Sequence, residues 1–136
     1  MTGRSRGQSL VELALCAPIL ALLALGGAAA VQVADAKAGL DAATQAAAAA
    51  AARAPDPVTA ESDARQRFES IVTAYAIRAP VINVTVGAFS RTDEVVASAA
   101  ASVDITWAAF FLPGRIALRS TVLVNLEPWR THRASP

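Results

Sequence analysis

The chain has few of the residues from which catalytic and metal sites are built. Its 136 residues include one cysteine (Cys16), one histidine (His132), two tryptophans, one tyrosine and four phenylalanines. A single cysteine excludes an intramolecular disulfide, and His132 has no second histidine with which to share a metal ion. The sequence also lacks a glycine-rich phosphate loop, a nucleophile elbow and a cluster of metal ligands. We therefore expect a protein that is not an enzyme and needs no cofactor.

Excess charge of one sign is also missing. Twelve basic and eleven acidic residues leave a net charge of +1, and the arginines are scattered along the chain. This pattern argues against a nucleic-acid partner. About a quarter of the residues are alanine, which favours a long helix but supplies little volume for a large core. The length suits one small domain with an anchor.

The anchor is predicted from a segment without charge that runs from Leu13 to Val31. It is long enough to cross a bilayer as a helix. Glu12 directly precedes this segment, at the edge of the membrane. Placing a carboxylate there costs less free energy than the ~2.5–3.5 kcal/mol expected at the bilayer centre. That cost must be offset, and a cation supplied by another subunit is one way to do it.

The flanking charges predict the orientation of this anchor. Arg4 and Arg6 precede the apolar segment, whereas Asp35, Lys37 and Asp41 follow it with a net negative charge. The positive-inside rule then places the N-terminus in the cytoplasm and the residues beyond about 34 outside.

Coarse patterning predicts an α+β fold: a long N-terminal helix, an amphipathic helix and a small antiparallel three-stranded sheet. Residues 1–7 are interpreted as a leader without structure. Residues 8–53 are predicted to form the long helix, with the transmembrane part at about 13–34 and an exterior extension at 35–53. Pro18 should kink this helix, and Gly26 and Gly27 permit close approach by another helix.

The exterior head is predicted to comprise residues 54–130, followed by a flexible tail at 131–136. Asp56 or Thr59 should cap a second helix that ends near Arg78. Three strands are then predicted at residues 81–89, 95–107 and 116–126, with an apolar loop at 108–114 that closes on a Pro-Gly turn. The aromatic residues before that turn, Trp107, Phe110 and Phe111, fit either a partner-binding patch or core packing.

The N-terminal segment resembles TadE-like proteins of the tight-adherence pilus system, which are minor pseudopilins of the type IV pilin-like class. The resemblance rests on the residues Arg-Gly-Gln-Ser-Leu-Val-Glu at 6–12, on Leu-Ala-Leu-Cys-Ala-Pro at 13–18 and on the alanine-rich extension to Arg53. The strand-like segment 120–128 is a weaker similarity.

This resemblance implies that a prepilin peptidase cuts the precursor after Gly7, which makes Gln8 the new N-terminus and Glu12 the fifth mature residue. The implied partners are this peptidase, other pilins or pseudopilins, Tad platform proteins and the bacterial inner membrane. Gln8 is polar, whereas many mature pilins begin with an aromatic or aliphatic residue. A new ammonium group at Gln8 can pair with Glu12 of a neighbouring subunit, and at low dielectric such a pair is strong enough to fix axial register.

Other interpretations of the same segments stay open. The apolar segment also fits an ordinary secretory signal with cut sites after Ala30 or Ala36, which would release a soluble α+β domain. Cys16 is interpreted as a small apolar filler rather than a lipidation site, because Leu15 is too bulky for a lipoprotein signal. The alanine run at 46–52 fits either a smooth surface that packs against identical helices or compositional drift. Asp93, Glu94 and Asp104 are interpreted as turn and strand-face residues rather than paired acids.

Overall fold

The predicted α+β class is confirmed by a computed structural model, which describes residues 3–87, 94–109 and 113–125, with the backbone alone for residues 3–6. The elements are α1 (Gly3–Arg53), α2 (Pro57–Val72), β1 (Arg78–Val86), β2 (Glu94–Asp104) and β3 (Arg115–Asn125), with a short 3-10 turn at Thr106–Ala108. The strands form one antiparallel sheet in the order β1-β2-β3. Several predictions fall outside the described residues. They concern the turn residue Asp93, the strand ends at residues 88–89 and 126, the aromatics Phe110 and Phe111, and the tail.

The long helix begins earlier than predicted. Its first helical residue is Gly3, so the interpretation of residues 1–7 as a segment without structure is wrong for residues 3–7. Nothing between Gly3 and Gly7 breaks a helix, and α1 already supplies a hydrogen-bonded template for those residues. At ~1.5 Å per residue, the 51 residues of α1 measure about 76 Å.

The exterior half of α1 forms the centre of the head. It packs against α2 on one side and against β2 and β3 on the other. Its contribution to the core is mostly alanine, with one larger aliphatic side chain: Ala36, Leu40, Ala43, Ala47 and Ala51. Thr44 is also fully buried, and its hydroxyl donates to the carbonyl of Leu40 at 2.7 Å, so its polar atom is satisfied.

This packing changes the interpretation of the alanine run. Ala47, Ala48 and Ala51 have no exposed surface, because α2 and the sheet cover them within the same chain. Of the two interpretations of the alanine run, packing against identical helices is therefore excluded for these three residues. Small side chains at these positions let the backbones of α1 and α2 approach closely.

The start of α2 follows its sequence signals. Asp56 is the N-cap: its carboxylate accepts hydrogen bonds from the backbone N–H of Thr59 at 2.9 Å and from the Thr59 hydroxyl at 2.6 Å. Pro57 occupies the first helical position, where no backbone donor is needed. The apolar side of α2 is buried as predicted, through Ala60, Ala64, Phe68 and Val72.

The end of α2 differs from the prediction, since the helix stops at Val72 and not near Arg78. Tyr75, although at helical spacing from Val72, lies beyond the helix in the turn that leads into β1. Pro80 disfavours helical backbone at the residue before it, and Ala79 adopts a positive φ of 47°. The chain therefore leaves the helix early and enters β1 at Arg78.

The sheet turns one apolar face towards α1 and α2. In β2 the buried residues alternate with exposed or half-buried ones, from Val95 to Val103. The register pairs Val95 with Val86 and Val124, and Val103 with Ile116, so side chains of all three strands meet on this face. β2 ends at Asp104 and not at Trp107, because the chain turns there. The N–H of Ile105 donates to the carbonyl of Gly114 at 3.0 Å and closes the loop.

Candidate membrane-spanning and assembly segment

From Gly7 to Ala28, no side chain of α1 is buried against the head. Every residue from Gly7 to Ala28 is exposed, and Ala29 is the first buried residue among those whose burial the structure describes. The exposed side chains include Leu10, Leu13, Leu20 and Leu23, each more than half exposed. By length and composition, this helix could cross a membrane. Only 6% of its most apolar 18-residue stretch is buried.

The length of the apolar segment is close to the thickness of a bilayer. From Leu13 to Val31 the helix rises by roughly 27 Å at 1.5 Å per residue, against a hydrocarbon core of about 30 Å. The first residue buried against the head is Ala29, within the last turn of this segment. The packed part of the helix therefore begins where the end of a membrane span is expected.

The predicted cleavage and assembly residues all lie on the first turns of α1. Gly7, Gln8 and Glu12 are exposed helical residues. Gln8 and Glu12 are four residues apart and so share one side of the helix. Within the described residues, the ion pairs are Lys37–Asp41 and Arg65–Glu61, and neither involves Glu12. Its carboxylate is therefore available to a group from outside the described part of the chain.

Pro18, Cys16, Gly26 and Gly27 are also exposed. Pro18 lies inside α1, and the kink assigned to it stays a prediction. A Cβ atom built on Gly26 or Gly27 meets no atom of the described residues within 4 Å, so both positions leave room for a neighbouring helix or a lipid.

A junction that sequence reasoning missed joins the span to the head. The indole Nε1 of Trp107 donates to Oε1 of Gln32 at 3.0 Å, and Nε2 of Gln32 donates to the carbonyl of Asp104 at 3.3 Å. Gln32 is the first polar residue after the apolar segment. The sequence signal for this contact was weak, because 75 positions separate the two side chains.

An apolar groove of about 760 Å³ lies beside this junction. One wall is the last part of the exposed span, including Leu22, Leu25 and Ala30, and the other is the head, including Ile105 and Ile116. Lys37 also lines the groove, one helical turn beyond Val33. Its ammonium group forms an ion pair with Asp41.

Three carboxylates of the head have lowered pKa values. Burial raises the pKa of Asp41, but hydrogen bonds from Lys37 and Ser120 and the charge of Lys37 outweigh it. Hydrogen bonds from the side chain and backbone of Thr59 lower the pKa of Asp56. Those from Thr106, aided by the charges of Arg78 and Arg115, lower the pKa of Asp104. Asp104 and Glu94 stand at opposite ends of β2, and Asp104 therefore acts as a turn residue rather than as half of an acid pair. Asp93 lies outside the described residues.

Within residues 3–87, 94–109 and 113–125, no three metal-ligating side chains lie close enough together to hold a metal ion. Comparison of the chain with protein-family models, with curated proteins and with solved structures found no match.

Proposed function

We propose that this chain is a minor pseudopilin, a structural subunit of a Tad-type pilus or secretion apparatus. The observation that carries the proposal is the exposure of every residue from Gly7 to Ala28 on a helix that continues, without a break, into the core of a folded head. A surface of this kind needs a bilayer or other subunits to cover it. In an assembly subunit, the bilayer covers this surface during storage and other subunits cover it after assembly.

In this proposal the subunit waits in the bacterial inner membrane. The N-terminus lies in the cytoplasm because Arg4 and Arg6 precede the span, and the head lies outside. A prepilin peptidase removes the residues up to Gly7 on the cytoplasmic side. The apolar helix then leaves the bilayer and packs against other pilins or pseudopilins, guided by Tad platform proteins.

The pairing partner of Glu12 is the ammonium group that proteolysis creates at Gln8 of a neighbouring subunit. Before cleavage the N-terminal amine is displaced by seven residues and belongs to a basic, polar segment. After cleavage it stands at the positive end of the helix dipole, close to the bilayer edge. Burial without a partner would be costly for either charge. Their mutual attraction therefore selects one axial position.

The competing outcome is release of a soluble domain by an ordinary signal peptidase, with a new N-terminus at Val31 or Lys37. A cut before Lys37 would remove Ala36 from the core and break the hydrogen bonds of Gln32 with Trp107 and Asp104. A cut before Val31 would remove Ala29, which is 1% exposed. The head is built around helix residues that this route deletes, and that supports processing at Gly7 instead.

Mass spectrometry of the mature N-terminus, in cells with and without an active prepilin peptidase, tests the proposal. We expect Gln8 as the first residue, and only where the peptidase is active. Gly7→Leu should leave uncut precursor in the membrane, whereas Gly3→Leu, a matched change within the leader, should still be cut after Gly7. A mature chain that begins at Val31 or Lys37 would assign the protein to the secretory alternative.

A further inference from the structure

The groove between the span and the head has two walls of different origin. Leu22, Leu25 and Ala30 belong to the span, while Ile105 and Ile116 belong to the head. If the span crosses the bilayer, as the proposed function requires, the groove opens into the hydrocarbon of the leaflet next to the head. Water would find few polar partners there, and apolar cavities of this kind stay dry.

Trp107 marks the depth at which the head sits. Its ring is 49% exposed, and its indole N–H is satisfied by Gln32. A tryptophan with a satisfied N–H and an open ring suits the boundary between headgroups and acyl chains, where this residue is enriched. Gln32 directly follows the apolar segment, so the ring lies level with the end of the span.

Lys37 supplies the charge that a phospholipid headgroup would meet. It lines the groove five residues beyond Gln32, which is roughly 7.5 Å along the helix at 1.5 Å per residue. The headgroup region extends ~5–8 Å beyond the hydrocarbon on each side. An ammonium group has three donors, so the ion pair with Asp41 leaves Lys37 able to donate to a phosphate.

We propose that the groove binds one phospholipid of the leaflet next to the head, with an acyl chain between the span and the head and the phosphate beside Lys37. The lipid fills the cleft while the subunit is stored in the membrane, and Trp107 holds the head against the leaflet surface. The groove volume of about 760 Å³ falls in the range of ~300–1,000 Å³ typical of small-molecule sites.

Fluorescence quenching tests the depth of the head. The full chain with Trp129→Phe keeps Trp107 as its single tryptophan, and it is placed in nanodiscs that hold one chain each. Phosphatidylglycerol brominated on the acyl chain near the glycerol should quench most of the Trp107 emission, and phosphatidylglycerol brominated near the chain end should quench much less. Emission that no brominated lipid quenches, but that iodide in the buffer does, would overturn the proposal.

Native mass spectrometry tests occupancy of the groove, with two variants of one helix. Ala30→Phe fills the groove, whereas Ala28→Phe adds the same ring to an exposed residue that does not line it. After extraction from phosphatidylglycerol membranes, we expect bound phospholipid on the unaltered chain and on Ala28→Phe, and at least a tenfold loss, about 1.4 kcal/mol, on Ala30→Phe. Equal lipid on both variants would contradict the proposal.

The same measurement distinguishes a bound lipid from a second copy of the chain in the groove. A dimer without lipid that forms for Ala28→Phe and disappears for Ala30→Phe would assign the groove to that copy and overturn lipid binding. The mature N-terminus is read from the same spectra. Processing at Gln8 with no lipid in the groove would therefore refute this inference while leaving the proposed function standing.

Discussion

At the scale of single residues, Gly39 controls how closely the chain after α2 approaches α1. A Cβ atom built at this position would overlap the ring of Tyr75, with Cδ2 only 2.7 Å away. Tyr75 lies in the turn between α2 and β1 and is half-buried. The absence of a side chain at Gly39 therefore leaves the space that the ring of Tyr75 occupies.

Gly39→Ala should destabilise the head, although alanine is the better helix former by roughly 1 kcal/mol. The displaced ring makes the change an overpacking mutation, which costs about 1–3 kcal/mol. Urea unfolding of the full chain in detergent measures the effect. Gly27→Ala, where the added methyl meets no atom within 4 Å, is the control. When Gly39→Ala is added to a chain that already carries Tyr75→Ala, it should cause no further loss of stability. A further loss of the same size would exclude the ring as the cause.

The lowered pKa values of Asp41, Asp56 and Asp104 predict an acid limb in the stability of the head. Since each folded pKa lies below the unfolded value of about 3.9, the stabilisation is complete above that pH. It is lost as the pH falls through the folded values. Thermal unfolding between pH 2 and 7 checks this. Asp56→Asn keeps a good N-cap but cannot titrate, so its acid limb should be shallower; an unchanged limb would be evidence against a contribution from Asp56.

Residue-level features were predictable from sequence where they are local. The cap at Asp56 and the alternation of Ile82, Val84 and Val86 in β1 follow from neighbours in the chain. The roles of Gly39 and Gln32 were not predictable, because their partners, Tyr75 and Trp107, lie 36 and 75 positions away. A single glycine or glutamine carries no periodic signal for such a contact.

At the scale of elements, α1 and α2 meet through alanine. The fully buried residues include Ala43, Ala47 and Ala51 on α1 and Ala60 and Ala64 on α2. The sequence predicts both helices but not which side of the alanine run is covered, because alanine residues look alike on every side of a helix. The end of α2 was misread for a related reason: Tyr75 continues the apolar spacing, while Ala79 and Pro80 turn the chain into β1.

Ala47→Leu should weaken the head by about 1–3 kcal/mol, since three added carbons have no space between α1, α2 and the sheet. Ala42→Leu makes the same change on an exposed side of α1, and it should stay within about 0.5 kcal/mol of the unaltered chain. Urea unfolding in detergent compares the two. Equal stabilities for both variants would be incompatible with a packed alanine interface.

At the scale of the whole molecule, a bare apolar helix and a packed head share one continuous element. The apolar helix is predictable because loss of charge over residues 13–31 and its return at Asp35 are coarse signals. The predicted head at 54–130 omits the part of α1 whose residues, such as Leu40 and Ala47, lie in its core. The point where burial begins, Ala29, required the fold, because its neighbours in sequence are alanines like itself.

Glu12→Ala should separate storage from assembly. Without the carboxylate the span loses its pairing group but keeps its length and apolar surface, so cleavage after Gly7 should remain largely intact. Recovery of the mature chain with other pilins or pseudopilins should fall to background. Co-purification from cells with an active peptidase measures this, and Glu12→Asp, which keeps the charge, should retain part of the recovery. Normal piliation with Glu12→Ala would rule out the pairing.

Because α1 is one continuous helix, it also fixes the rotational orientation of the head about the helix axis. An α-helix turns by about 100° per residue, so the number of residues between Glu12 and Ala29 sets the direction in which the sheet points when the N-terminus is docked. One inserted alanine within the span would swing the head by more than a quarter of a circle and raise it by only ~1.5 Å. The number of residues in this part of α1 thus sets the angle of the head about the helix axis. That angle determines which side of the head each neighbour in an assembly would contact.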